Sequence, residues 1–459
     1  MTLGLKRQRT IIACIVISIL LVLSLFNSMV NILTLLLASF IILSWDVEDA
    51  FCLMLYIISF DRVFKLQLGG FALLNVLIFL FLVRLLINQR FKLNYRTSVP
   101  LFLFFAYSFL ISINTGIIDC ISIFISIFLG MMLLCYKDEG FNICRLVEYT
   151  SAGLIVSSVI ALFNSYFPNL AIVLGSSRIK LAKGIYYYRF SGLQSNPNYY
   201  TVLISVVLAV FVVMFIYKKI KFFDVIFFVV LIIFGLMSSS MSFVVSILAL
   251  GVLVFIALFR KNIKYIFLGL LVVLAAGALI YAFRNTDFVS TVIYRAKSIS
   301  DSDDINASAL TSGRSSLWLM YIEYLFSNIK SLVFGVGIGA NVYNIVGYQS
   351  HSYYIEIVFF TGLIGAFFYV WTMISIFGPK RYCKGKINPS LYIPLIVFLI
   401  RGLARCLFAD EQLIFMILLC VITVTYFTNK STEPVESEGL PVDLQSNSTS
   451  QNVLTEESK

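Results

Sequence analysis

Histidine is almost missing from this chain of 459 residues: there is one, His351. A histidine-based metal centre is excluded on that count. The eight cysteines are scattered, with no CxxC pair and no metal-ligand spacing, and nearly all lie in or beside apolar segments. Charge is scarce as well. Only 12% of residues are charged, against roughly 25% in a soluble domain. Polar and apolar residues do not alternate, which excludes a membrane β-barrel. No internal repeat is visible, which argues against an inverted-repeat transporter.

What remains is apolar. The chain is 60% hydrophobic, with a mean hydropathy of +0.97. Runs of about 18 or more apolar residues recur, each long enough to cross a hydrocarbon core of roughly 30 Å. The expected fold is an all-α polytopic membrane protein of about 12–14 transmembrane helices. Candidate spans fall near 10–26, 29–44, 51–66, 71–88, 99–113, 117–136, 147–166, 201–217, 223–238, 241–259, 266–283, 353–377, 391–408 and 412–428. Lys6, Arg7 and Arg9 precede the first span as in a signal peptide, but no small-residue cleavage pattern follows, so the first span reads as retained.

Basic clusters fix an orientation. They occur at Lys6–Arg9, Arg90–Arg96, Lys218–Lys221, Arg260–Lys264 and Lys380–Lys386. Walking the spans in order puts all of them on one side, which the positive-inside rule makes cytoplasmic. The net charge of +11 is read the same way, so no nucleic-acid partner is expected. Residues 1–428 form the transmembrane domain, in the cytoplasmic membrane with both termini cytoplasmic. Residues 429–459 are rich in Ser, Glu, Asn and Thr and read as a disordered cytoplasmic tail.

Two long loops fall on the outer side, near 167–200 and 284–352. Both carry cations against the positive-inside bias: Arg178, Lys180, Lys183 and Arg189, then Arg284, Arg295, Lys297, Arg314 and Lys330. Cations kept there point to an anionic partner, while ordinary surface composition is the alternative. The first loop ends in RFSGLQSNPNYY, where Asn196-Pro197-Asn198 starts the next span. The second holds TSGRSSLWLMYIEYLF, a helix capped by Ser312 with Arg314 in its first turn. Trp318, Tyr321, Tyr324 and Leu325 recur on one face of that helix, as in an amphipathic helix at a membrane interface. Next, FGVGIG ends the helix and lets backbone approach a neighbour closely. No strand precedes this motif, so a dinucleotide site is rejected. SHSYYIEIVFFTGLIG then enters a span, with His351 at its mouth.

RFSGLQSNPNYY, SGRSSLW, FGVGIG and SHSYYIEIVFFTGLIG, in that order, resemble the bacterial O-antigen ligase and polymerase superfamily (Wzy and WaaL type). The likeness covers mainly residues 185–365. It implies a GT-C-like helical fold with a large extracytoplasmic loop of interfacial helices. It implies glycosyl transfer from undecaprenyl-pyrophosphate to an acceptor hydroxyl, with no metal and no cofactor. Carried over, the family's loop histidine is His351 and its Ser-Gly-Arg arginine is Arg314. Two departures stand out. Ser352 follows the histidine where the family often has Asn. In LMSSSMSFV, Met241 stands where many members have an arginine. Arg189 is the candidate substitute.

The chemistry requires the same residue types. A departing diphosphate needs cations, and Arg offers a planar fork that matches phosphate oxygens. The acceptor hydroxyl needs a base, and histidine suits that role near neutral pH. His351 and Arg314 are therefore the expected catalytic pair. Arg314, Arg189, Arg401 and Arg405 are the expected donor-pyrophosphate ligands. Arg401 and Arg405 lie i, i+4 inside a span, where arginine is costly and faces a cavity or a partner such as Asp410 or Glu411. Arg62 and Lys65 read as interfacial anchors, and Glu356 lies near enough in sequence for a histidine–carboxylate dyad.

The expected function is polymerisation of undecaprenyl-pyrophosphate-linked repeat units for capsule, exopolysaccharide or O-antigen, with inversion at the anomeric carbon. Its partners are the lipid-linked glycan donor and acceptor, the bilayer and a chain-length regulator. The alternatives are a ligase that moves the chain to lipid A-core and, in another class, a lipid or sugar transporter.

Overall fold

The computed structural model describes residues 3–27, 29–66, 73–87, 95–113, 115, 141–163, 179–182, 185–259, 314–378, 388–403 and 411–432. Apart from one short hairpin, β1 (Ile179–Ala182) against β2 (Ile185–Tyr188), the elements are helices. In chain order they are α1 (Leu3–Ser24), α2 (Met29–Ser44), α3 (Val47–Ile57), α4 (Asp61–Leu66), α5 (Leu73–Ile87), α6 (Tyr95–Ser112) and α7 (Ile143–Leu162). After the hairpin come α8 (Pro197–Ile216), α9 (Phe222–Met237), α10 (Met241–Phe259), α11 (Arg314–Ser327), α12 (Ile329–Phe334) and α13 (Val342–Ile345). Last are α14 (Tyr353–Phe377), α15 (Ile393–Gly402) and α16 (Glu411–Thr432).

Among the described residues, four helices are long and apolar enough to cross a membrane: Arg7–Ser24, α7, α8 and α14. Seven shorter apolar helices of 10–17 residues accompany them. The architecture is that of an all-helical membrane protein. The expected spans coincide with helices wherever the residues are described, except at 51–66. That run is divided into α3, a 3-10 turn over Ile58–Phe60, and α4. The expected spans 117–136 and 266–283 lie outside the described residues.

α8 is the central helix. It is buried nearly all round and touches α7, α9, α10, α15 and α16. A helix apolar on every face is stable only in such a position. Its start is set locally: Pro197 occupies the first turn, and the Asn196 side chain accepts the Asn198 amide at 2.9 Å. α1 and α2 lie outside, presenting Ile12, Leu36 and Phe40 to their surroundings, as lipid-facing helices do.

The described basic clusters gather at one end of the bundle, here called the base. Arg145 on α7 pairs with Asp49 at 2.7 Å and with Glu48 at 3.4 Å. Arg9 pairs with Asp49 at 3.3 Å and lies over the Trp45 ring at 4.1 Å. Glu148 receives both Arg7 and Lys221. These pairs tie the starts of α1, α3, α7 and α9 together.

The other end is organised by a break in α14. Gly362 adopts φ 64°, ψ −176°, and the helix kinks there. A kink frees carbonyls that need donors inside a bilayer. Val336 and Gly337 supply them, donating to the Phe359 and Phe360 carbonyls at 3.0 Å each. Gly335 and Gly362 meet backbone to backbone, and a Cβ on Gly362 would collide with the Val333 carbonyl oxygen. Across the loop, Tyr107 donates to the Phe334 carbonyl at 2.9 Å, and the Ile338 amide donates to the Ser112 hydroxyl at 2.8 Å. GVGIG is thus a strap between the end of α6 and the kink of α14. Gly362→Ala is expected to lower stability by about 1–3 kcal/mol, from the positive φ and the collision together. Thermal unfolding in detergent checks this, and an unchanged transition would refute it.

Candidate functional site

Arg189 and Arg401 are far apart in sequence and meet at one residue, Asn198. Arg189 donates to the Asn198 side-chain oxygen at 2.9 Å and to the Ser238 carbonyl at 3.4 Å. Arg401 donates to the Asn198 backbone carbonyl at 2.9 Å, the Thr201 hydroxyl at 2.6 Å and the Ser242 hydroxyl at 2.7 Å. Ser240 completes the ring, donating to the Asn198 side chain at 3.1 Å and bonding to Ser242 at 3.0 Å. Arg189 is 8% exposed and Arg401 only 1%. A buried guanidinium is tolerable when its donors find oxygens. These acceptors are amide, carbonyl and hydroxyl oxygens.

The local sequence explains the arrangement. Gly192 has φ 55°, and a Cβ there would press on the Tyr200 ring. The chain can therefore turn tightly between Arg189 and the start of α8. Phe190 is anchored by its amide bond to the Met237 carbonyl at 3.2 Å and stacks on Phe234. The Gln194 side chain donates to the Ile58 carbonyl at 2.7 Å, at the 3-10 turn where α3 breaks. Arg401 sits in the last turn of α15, where a cation also complements the helix dipole.

Met241 lies between Ser240 and Ser242, where the α9–α10 turn passes into α10. The two arginines reach that turn from outside it, through Ser238 and Ser242. Cations absent from the segment itself are thus delivered by the residues before α8 and by α15.

His351 occupies a neighbouring turn. It has φ 53°, a left-handed conformation that costs a non-glycine residue about 1 kcal/mol or more. Ser350 and Ser352 on either side are buried, and the Ser350 hydroxyl both accepts the Ser352 amide at 3.1 Å and donates to the Ser352 carbonyl at 3.2 Å. His351 itself is half-buried. Two links connect this turn to other site residues. Trp318, one turn beyond Arg314 on α11, donates to the Ser350 carbonyl at 3.1 Å. On the other side, Tyr353 packs against Gly402, next to Arg401, and Tyr354 donates to the Leu399 carbonyl at 2.7 Å.

Of the expected site residues, the described ones, Arg189, Arg314, His351 and Arg401, fall at one end of the bundle, opposite the base. Arg189 and Arg401 share partners. Arg314 begins α11 and is half-buried. Trp318, Tyr321 and Leu325 of that helix face the protein, with Tyr321 against the Phe359 ring and bonded to the Tyr348 carbonyl at 2.7 Å. Leu319 and Phe326 on the other side are exposed. Glu356 is buried in the first turn of α14, where the helix N-terminus suits a carboxylate. Lys330 is exposed on the short α12. Arg62 meets the first loop through its amide, which donates to the Leu193 carbonyl at 3.0 Å. Arg178, Lys183, Arg284, Arg295, Lys297, Ser312, Arg405 and Asp410 lie outside the described residues, as do the side chains of Lys65, Lys180 and Glu411.

Asn198, Thr201, Ser240 and Ser242 are the site residues that sequence reasoning missed. Their signal was present as hydroxyl and amide groups crowded at the ends of otherwise apolar runs. In comparisons with known proteins, no family model and no curated sequence matches the chain.

Asn198→Ala removes the acceptor shared by Arg189 and Ser240. It is expected to cost about 1–3 kcal/mol, as donors are left buried without their oxygen. Asn198→Asp keeps that oxygen and is expected to stay within about 1 kcal/mol of wild type. Equal unfolding midpoints for wild type and Asn198→Ala would show that the side chain is no hub.

Proposed function

We propose that the protein is a GT-C-like glycosyltransferase that polymerises undecaprenyl-pyrophosphate-linked repeat units at the extracytoplasmic face of the cytoplasmic membrane. The observation that carries this reading is the convergence of Arg189 and Arg401 on Asn198, with the His351 turn linked to it through the contact of Tyr353 with Gly402. Two guanidiniums that converge on one residue at one end of an apolar bundle suit a lipid-borne diphosphate. The motif resemblance adds Arg314 and His351 in their family roles.

In this reading Arg189, Arg401 and Arg314 hold the donor pyrophosphate and take up the charge that develops as it departs. His351 removes the proton from the acceptor hydroxyl. That oxygen attacks the anomeric carbon, the bond to the pyrophosphate breaks, and the configuration inverts. The left-handed backbone at His351 fits a residue retained for chemistry at a cost in stability.

The test supplies the purified, reconstituted protein with lipid-linked repeat units and no lipid A-core. A ladder of products is expected. No product without lipid A-core, and transfer once it is added, would make the protein a ligase.

His351→Ala should lower elongation by roughly 10²–10⁴-fold, the usual worth of a general base. His351→Gly should be equally inactive yet no less stable, since glycine accepts the left-handed backbone. Full elongation by either variant would remove His351 from the chemistry. Arg314→Lys should lose about tenfold or more, because a point charge does not replace a bidentate fork. Near-normal rates would take Arg314 out of the site.

A further inference from the structure

His351 sits in a backbone conformation that a histidine does not favour. Its φ of 53° is left-handed, and a non-glycine residue keeps such a conformation where its surroundings impose it. The local restraint is Ser350. Its hydroxyl passes over His351 to both the amide and the carbonyl of Ser352, at 3.1 and 3.2 Å. Turns closed by a hydroxyl are weak on their own, so the conformation calls for a second hold.

That hold comes from α11. The Trp318 indole N–H donates to the Ser350 carbonyl at 3.1 Å, and the Tyr321 hydroxyl donates to the Tyr348 carbonyl at 2.7 Å. Trp318 and Tyr321 lie i, i+3 on one helix face, and together they grip the chain that runs into His351. The helix is itself seated. Tyr321, only 1% exposed, meets the Phe359 ring edge-on at 4.8 Å, and Leu325 is buried in the same cluster. Phe359 belongs to α14, which begins at Tyr353. The His351 turn is thus held on one side by α11 and continues on the other into α14, and these two helices pack on each other.

Arg314 is the first residue of α11. It stands i−4 from Trp318, on the same helix face and about 6 Å away along the axis. The bond from Trp318 to Ser350 therefore fixes the offset between the backbone of Arg314 and that of His351. A tryptophan that merely anchors a helix at a membrane interface turns its N–H toward the wet side. Here the N–H is directed inward, to a buried serine.

We propose that Trp318 is a positioning residue, whose N–H holds His351 in its left-handed conformation and in register with Arg314. It acts through His351. That the held imidazole serves as a base rests on the proposed function; the hold itself does not.

The experiment exploits the single histidine. Full-length protein made with isotope-labelled histidine and purified on a histidine-free tag gives one imidazole signal by NMR. Wild type should show one narrow line. Trp318→Phe keeps an aromatic ring and loses the N–H, so its line should broaden or split as His351 samples further conformations. In elongation the same variant should lower kcat about tenfold with KM unchanged, because the lost bond aligns the base and does not bind substrate. Added to His351→Gly it should bring no further loss, since no imidazole is left to position. Leu319→Ala, on the exposed face of α11, should match wild type in both measurements. Trp318→benzothienylalanine, with sulfur in place of the N–H in a bicycle of the same shape, serves if Trp318→Phe does not fold. An unchanged line in the variant would overturn the proposal whatever its rate. So would a changed line at full kcat, or an equal loss of rate with and without His351. A changed line in a protein that builds no polymer sinks the polymerase reading and leaves the hold standing.

Discussion

Asn198 holds two buried arginines at once, one by its side chain and one by its backbone. Much of the site end depends on this. Arg189 arrives from the chain before α8, Arg401 from the last turn of α15, and the serines of the α9–α10 turn close the ring. Four segments are locked together here by directional bonds to charged donors. Apolar contacts between helices are permissive about register, whereas charge-assisted hydrogen bonds are not.

The strap GVGIG gives the site end its second fixed point. It satisfies the carbonyls freed where α14 kinks, and it ties α14 to α6. The kink lets a single helix serve two surfaces. Its first turns follow the His351 turn and contact α11, and residues on both sides of the kink line an apolar cavity against α15. At the base, Asp49 and Glu148 gather the basic residues of several helices.

The sequence made most of the helices legible because hydropathy alone forces an apolar run of membrane length into a helix. It failed at 51–66, where apolar residues continue through a break and hydropathy cannot register a 3-10 turn. The glycines of GVGIG signalled close backbone approach but not to what, since the partner, the kink at Gly362, lies 25 residues on. The arginines stood out because charge is rare in apolar surroundings. Their convergence did not, because Asn198 reads locally as a turn residue and Arg401 as a separate intramembrane cation. Hydrogen bonds between residues some 200 positions apart leave no local pattern. Arg189 and Arg401 reach Ser238 and Ser242, on either side of Met241, from distant parts of the chain.

The site end, rather than the base, is the claimed seat of the lipid diphosphate, and one measurement addresses this directly. A structure of the protein bound to undecaprenyl pyrophosphate would locate its phosphorus atoms. The expected result puts phosphate oxygens within hydrogen-bonding distance of Arg189 or Arg401. Diphosphate bound at the base beside Arg7 and Arg145, or absent from the site end at saturating ligand, would contradict it.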